Sequence, residues 1–207
     1  MQPIATLQEK YTDGIDIMQS GRSDLHHLTG KNSHCSCFGV NLRPIESTGQ
    51  IGMSPRLQTP PFNRAAAAAK VRITENNWNS REPLTVALGY TIDSFWRSGA
   101  EFLSGRSAIE TFLTRKWTRE LEYRLIAELW AFTESRIALR FANEYHDIDG
   151  KWYRSYGSEH WEVDSDGLIQ RRIESFNDHS IQEADRVLRW PLGPRPDDHP
   201  ELSDFDL

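Results

Sequence analysis

From Glu122 to Asn177 apolar and polar residues alternate in four long runs, Glu122–Phe132, Arg136–His146, Lys151–Val163 and Leu168–Asn177, the period-2 pattern of half-buried strands. Between them stand Thr133-Glu134-Ser135, Asp147-Ile148-Asp149-Gly150 and Asp164-Ser165-Asp166-Gly167, polar segments suited to hairpin turns. Three hairpins in series make an antiparallel meander. Strands this long, against a usual length of about 5 or 6 residues, twist and curl, and the hollow side must be filled.

Upstream the period changes to that of helices. Asn63 is a good N-cap, and the alanine tract carries a helix to about Trp78 with Ala67, Val71, Thr74 or Glu75, and Trp78 on one stripe. Pro83 suits the first turn of a second helix ending near Gly89, and Ile92–Arg97 reads as a strand closed by Ser98-Gly99. A third helix starts around Ser104–Ser107, where Ser107 and Glu110 fit a capping box, and buries Ile109, Phe112, Leu113, Lys116 or Trp117, and Leu121. Past the meander, Ile181–Arg186 reads as a short helical piece, and Trp190–Pro196 as an extended surface tail anchored by Trp190. The expected class is α+β, with three N-terminal helices packed on a strongly curved antiparallel sheet. Its expected divisions are residues 1–58, 59–187 and 188–207.

Residues 1–58 differ in kind. All seven tryptophans lie beyond them, and no sustained apolar period occurs among them, so they read as a disordered regulatory extension or as sequence upstream of a true start at Met53. His26, His27, His34, Cys35 and Cys37 are metal-competent but lack the spacing of a zinc knuckle, and no metal is expected. A net charge of -6 lacks the basic footprint of a nucleic-acid binder. With no apolar run near the roughly 18 residues of a membrane span and no secretory signal, a cytoplasmic protein without membrane association is expected. There is no Ser-His-Asp order, phosphate loop or dinucleotide fingerprint, and no cofactor is expected.

Specific residues carry a family likeness. Lys70-Val71, Trp78-Asn79, Tyr90, Asp93-Ser94, Trp96-Arg97, Gly105–Ile109, Phe112–Trp117, Trp152–Gly157 and the tail Pro191–Pro200 resemble an uncharacterised bacterial and fungal family within the nuclear transport factor 2-like, or SnoaL-like, superfamily. The resemblance covers about Pro60 to the C-terminus and implies the cone fold. It carries no single reaction, because the superfamily holds isomerases, cyclases, hydrolases and binding modules alike. In relatives such as ketosteroid isomerase the strand before the third helix supplies a carboxylate base. Alignment through Gly105 puts Trp96 there, which argues against that isomerisation, while Glu159 falls at the position of an inward-facing acid. Ser158 and Glu174 stand where the resemblance leads one to expect Asn and Ala.

Turn lengths set register, and register sets which side chains share a face. Counting through the turns pairs Glu128 with Arg140, Arg124 with Glu144, Arg140 with Gly157, Glu144 with Tyr153, and Glu159 with Arg172. One face then carries Glu128, Trp130, Arg140, Glu144, Tyr153, Ser155, Gly157, Glu159, Trp161, Arg172 and Phe176. The other carries Leu125, Leu129, Ile137, Leu139, Phe141, Tyr145, Trp152, Tyr156, His160, Ile173 and Asn177. The charged face is expected to line the cone, with Glu159 as acid or base and Arg140 and Arg172 orienting an anionic or carbonyl group of a small-molecule ligand. Glu128, Glu144, Tyr153, Trp96 and Trp161 complete the expected ligand-binding set. Small side chains at Ala138, Ala142, Ser155 and Gly157 leave room for a ligand or for close packing. A structural ion-pair ladder is the alternative reading of the charges. Because both faces bear large aromatics, a homodimer is expected, and a non-catalytic dimeric binding module stands as the alternative to an enzyme.

Overall fold

The computed structural model describes residues 58–207. The expectations that fall on residues 1–57, including the Met53 start and the His and Cys set, lie outside the described residues. Three helices, α1 (Arg64–Ser80), α2 (Pro83–Ala87) and α3 (Arg106–Trp117), accompany six strands: β1 (Tyr90–Ser98), β2 (Glu101–Ser104), β3 (Leu121–Phe132), β4 (Arg136–His146), β5 (Trp152–Val163) and β6 (Ile169–Ile181). They form one sheet in the order β2-β1-β6-β5-β4-β3. Neighbours run antiparallel except β1 and β6, which are parallel.

Asn63 caps α1 by accepting from the Ala66 amide at 2.9 Å, and the helix buries Ala67, Lys70, Val71, Thr74, Glu75, Trp78 and Asn79. Two of these residues finish the sheet. Among the described residues no further strand lies on the outer edge of β3, and Asn79 exchanges two hydrogen bonds with the Leu125 main chain at 2.8 and 2.9 Å, as a strand neighbour would. Glu75 accepts from the Ala127 amide at 2.8 Å. Covering an edge in this way removes a template for pairing with other chains. Lys70 is also buried, with Nζ 2.7 Å from the Gly167 carbonyl. Burial pushes its pKa down to about 8 against the opposing pull of Asp164.

The α3 start departs from expectation: its N-cap is Gly105, at φ 81°, and no side chain caps it. A second departure is β2. Gly99, at φ 58°, turns the chain back after β1 so that Glu101–Ser104 pairs with it. The segment after β6 is a single 3₁₀ turn, Glu183–Asp185, rather than an Ile181–Arg186 helix, because β6 itself runs on to Ile181.

Register decides the faces. The β3–β4 pairing begins one step off the expected count, at Phe132↔Ile137, and a bulge at Trp130 restores Glu128↔Arg140 and Arg124↔Glu144 as expected. In β4–β5 the loop takes in Lys151, whose amide bonds Asp147 Oδ1 at 2.9 Å. The pairing is therefore Arg140↔Ser158, Ala142↔Tyr156 and Glu144↔Arg154 in place of Arg140 with Gly157 and Glu144 with Tyr153. A one-residue shift exchanges the faces of β5 and β6 relative to β3 and β4.

The corrected inner face packs Leu139, Phe141 and Trp161 with Val71 and Trp78 of α1 and Ile109 and Leu113 of α3 in the main core. The outer face holds a second core. Ile126 and Ala142 are covered by Leu188, Trp190 and Leu202, so the C-terminal segment packs on the sheet well beyond its Trp190 anchor. The room expected at Ala142 and Gly157 is thereby taken. A Cβ on Gly157 would lie 2.4 Å from the Phe141 ring and 2.7 Å from the Ser175 carbonyl.

Gly157→Ala is accordingly expected to destabilise by about 1–3 kcal/mol, the usual cost of overpacking. Phe141→Leu in the same chain should recover part of the loss, read from urea-unfolding midpoints.

Candidate functional site

At the centre of the inner face is Arg172, only 1% exposed. Its Nε and Nη2 donate to the two Glu159 oxygens at 2.8 and 2.5 Å, and Nη1 and Nη2 donate to Glu174 at 3.2 and 2.7 Å. Its guanidinium stacks over both Trp78 and Trp96, at 4.8 and 4.6 Å from the ring centroids. Glu159 also accepts from Trp161 Nε1 at 2.6 Å. Burial opposes the charge of Arg172, but Glu159 and Glu174 outweigh it and hold the guanidinium protonated. Burial likewise works against the charge of Glu174, and is outweighed by Arg172 and Lys116 and by bonds from Ser98 and Arg172; its pKa ends below the ordinary value. Ser98 Oγ lies 2.5 Å from Glu174.

Glu174 looks two ways. Beyond it the cone opens into a narrow slot lined by Lys116 and Glu120 from the end of α3, Asn143 and Tyr145 of β4, Ser155 of β5, and Glu174, Phe176 and Asp178 of β6, with a volume of about 10 Å³. Ser155 Oγ donates to Asp178 at 2.5 Å, and Asn143 Nδ2 lies 3.3 Å from Ser155 Oγ. Lys116 and Glu120 pair at 2.5 Å. Burial raises the Glu120 carboxyl, Lys116 opposes this, and the Asp178 and Glu174 charges add to the rise. Tyr145 is raised too, by burial and then by Asp178. Two carboxyls in one slot are thus driven in opposite directions, Glu120 towards holding its proton and Glu174 towards losing it.

The structure separates the residues singled out from the sequence into two sets. Glu159, Arg172, Trp96 and Trp161 come together beneath the slot. Tyr153 also faces inward, stacked on Tyr145 at 5.3 Å, with its hydroxyl donating to Asp147 at 3.2 Å. Glu128, Arg140 and Glu144 lie on the outer face, against the expectation that they share a face with Glu159, because of the β4–β5 shift. There they hold the chain's own C-terminal segment. Arg140 donates to Glu128 at 2.8 Å and to the Leu207 main-chain oxygen, and Glu128 accepts from the Ser203 amide at 3.2 Å. Glu144, fully buried, accepts from Arg154 and from the Val187 and Leu188 amides, both at 3.0 Å.

The slot residues Lys116, Glu120, Asn143 and Asp178 were not among the site residues expected from the sequence, where Lys116 figured only in the α3 stripe and the family likeness. The i,i+4 Lys116–Glu120 pair at the end of α3 is their one local signal. Asn143 and Ser155 align only once the β4–β5 loop is counted as five residues, and Asp178 comes opposite Ser155 only through the longer second loop and the bulge between Glu162 and Val163. Among the described residues no group of three or more His, Cys, Asp or Glu is placed to hold a metal ion, and no helix is long and apolar enough to cross a membrane.

Arg172→Met leaves two buried carboxylates facing each other, so a loss of about 3–5 kcal/mol in urea unfolding is expected. The sign with pH follows from Glu174. Its lowered pKa stabilises the wild type above the unfolded carboxyl pKa, and that contribution fades as pH falls through the folded value. The variant should therefore lose its deficit in acid, where wild type and variant converge.

Comparison with solved structures finds similarity at low sequence identity. SalBIII, an epoxide hydrolase/cyclase-like enzyme of pyran-ring formation in the polyether salinomycin, matches at a TM-score of 0.50 and 13% identity, over 56% of this chain and 93% of its own. TerC, crystallised with polyporic acid, gives 0.48 and 16% over 54% and 91%. An NTF2-like protein of unknown function from Exiguobacterium gives 0.46 and 12% over 54% and 98%. None of the curated proteins matches the sequence. The likeness to SalBIII, at this identity, is one of fold, helices packed on a single curved sheet, in keeping with the α+β class expected from the sequence. A family profile described as protein of unknown function (DUF1348) spans residues 60–189, and the chain belongs to that family.

Proposed function

We propose that the chain binds a small organic molecule at the slot and moves a proton to or from it through Glu120, in the manner of a cofactor-independent isomerase, cyclase or hydrolase. The observation that carries this reading is the pair of slot carboxyls with opposed proton affinities, since such pairs divide the acid and base roles. Glu120, raised by burial and by its neighbours Asp178 and Glu174, is the proton carrier. Glu174 is the fixed negative charge, and Arg172 and Ser98 position it. Glu159, the acid or base expected from the sequence, has its oxygens committed to Arg172 and Trp161. We assign it the role of fixing Arg172, and Arg172 that of holding Glu174 rather than contacting a ligand. Side-chain movement at Phe176, which is 38% exposed, would admit anything larger than a water.

One observation favours the other reading, a non-catalytic homodimeric module. The C-terminal segment covers part of the outer face. Beside it a groove of about 310 Å³ remains open over Phe132, Ala138, His160 and Ile173, and Trp130 nearby is 73% exposed. Such a patch is the kind of surface a second copy would cover.

A compound that binds the slot should stabilise the wild type by about 2.7 kcal/mol at one hundred times its Kd. Glu120→Gln should keep that stabilisation and lose turnover, with wild-type turnover that needs the protonated carboxyl falling as pH rises through the raised Glu120 value. Turnover unchanged in Glu120→Gln defeats the acid–base role.

For the dimer reading, Ile173→Glu should convert a sedimenting dimer to a monomer. A wild type that is monomeric at micromolar concentration removes that reading.

A further inference from the structure

The balance of charge and hydrogen bonding around the slot restricts what can enter it. Arg172 spends its donors on Glu159 and Glu174. Asn143 turns its amide to Ser155, and Ser155 its proton to Asp178. Lys116 is held against Glu120. Most of these donors are committed within the protein, Lys116 keeping further N–H groups beyond its bond to Glu120, whereas each carboxylate offers about four lone-pair positions, more than the donors it receives here. Arg172 and Lys116 face four acidic groups, Glu120, Glu159, Glu174 and Asp178, so the local balance is negative even with Glu120 protonated. A ligand carboxylate or phosphate would meet acceptors of its own sign. An ammonium group has three donors and no acceptor, and it is about the size of the water that a cavity of about 10 Å³ just holds. Tyr145 and the half-exposed Phe176 supply aromatic surface at the rim, where a cation or a ring can rest.

We propose that the slot receives the primary ammonium group of an aryl-alkyl amine, seated between Glu174 and Asp178 with its ring against Phe176, and leaving Glu120 beside it as the proton-carrying group. This rests on the reading of the slot as the ligand site and names the class of ligand. It also reverses the anionic or carbonyl ligand expected from the sequence. The two arginines that motivated that expectation are engaged elsewhere, Arg172 with its carboxylates and Arg140 with Glu128 and Leu207.

The test uses the full chain and three probes of one shape, 2-phenylethylammonium, 2-phenylethanol and phenylacetate, titrated by calorimetry at neutral pH. A charge-assisted hydrogen bond is worth enough that the ammonium should bind at least about tenfold more tightly than the alcohol, with phenylacetate not binding. Asp178→Asn, a change at an exposed rim position, should remove most of that preference, and its unchanged melting shows that the fold is intact. An alcohol that binds as tightly as the ammonium overturns the head-group assignment, and its weakening by Asp178→Asn would then show that the slot is still the site. Ammonium binding that Asp178→Asn and Tyr145→Ala both leave untouched places the amine on the acidic surface and overturns the proposal. If none of the three probes binds, the amine assignment falls, and the slot falls with it only if the wider search for a stabilising compound is also empty.

Discussion

A guanidinium buried between two indole rings and two carboxylates is the interaction around which the domain is arranged. Arg172 cannot be left in the interior alone, because burying an unpaired charge costs several kcal/mol, and its partners come from three different strands and a helix: Glu159 on β5, Glu174 on β6, Trp96 on β1 and Trp78 on α1. Satisfying one side chain therefore fixes the relative positions of α1, β1, β5 and β6. It also sets the chemistry above it. Glu174 faces the slot with its carboxyl held below the usual range because its other side is pinned to Arg172, and the Glu120 carboxyl is raised by burial first and in small part by the Glu174 charge.

The sequence showed the strands clearly and their alignment only in part, and the reason lies in two similar loops. Asp147-Ile148-Asp149-Gly150-Lys151 and Asp164-Ser165-Asp166-Gly167-Leu168 each use the first aspartate to bind two later amides, the second of them on the fifth residue. Counting four residues misplaces each pairing by one. After the second loop a bulge between Glu162 and Val163 adds another step, so the error becomes two and the faces of β5 and β6 stay matched. The first loop has no such compensation. That is why Glu159 and Arg172 were legible as companions on one face, although Glu174 stands directly opposite Glu159 and Trp161 opposite Arg172, while Glu128, Arg140 and Glu144 were assigned to the wrong company. Bulges and loop closures depend on contacts far along the chain, and alternation within a strand contains nothing about them.

The C-terminal segment shows a second limit. Its prolines and scattered charges carry no period, so the sequence places it at the surface. In the fold Leu188, Trp190 and Leu202 supply the apolar cover that the outer face of β3 and β4 lacks, and the buried Glu144 caps its first amides. An aperiodic stretch can still form a core when its few large side chains meet a face prepared for them.

Glu75 joins these regions through one carboxylate. It accepts from the Ala127 amide on the edge of β3 and from Arg195 of the C-terminal segment, the latter at 2.8 Å, and Arg195 in turn holds Glu201. The protection of an otherwise sticky sheet edge and the seating of the last residues thus share a single group. Opening of that edge and release of the C-terminal segment are thereby coupled through one carboxylate, between residues 120 apart in sequence.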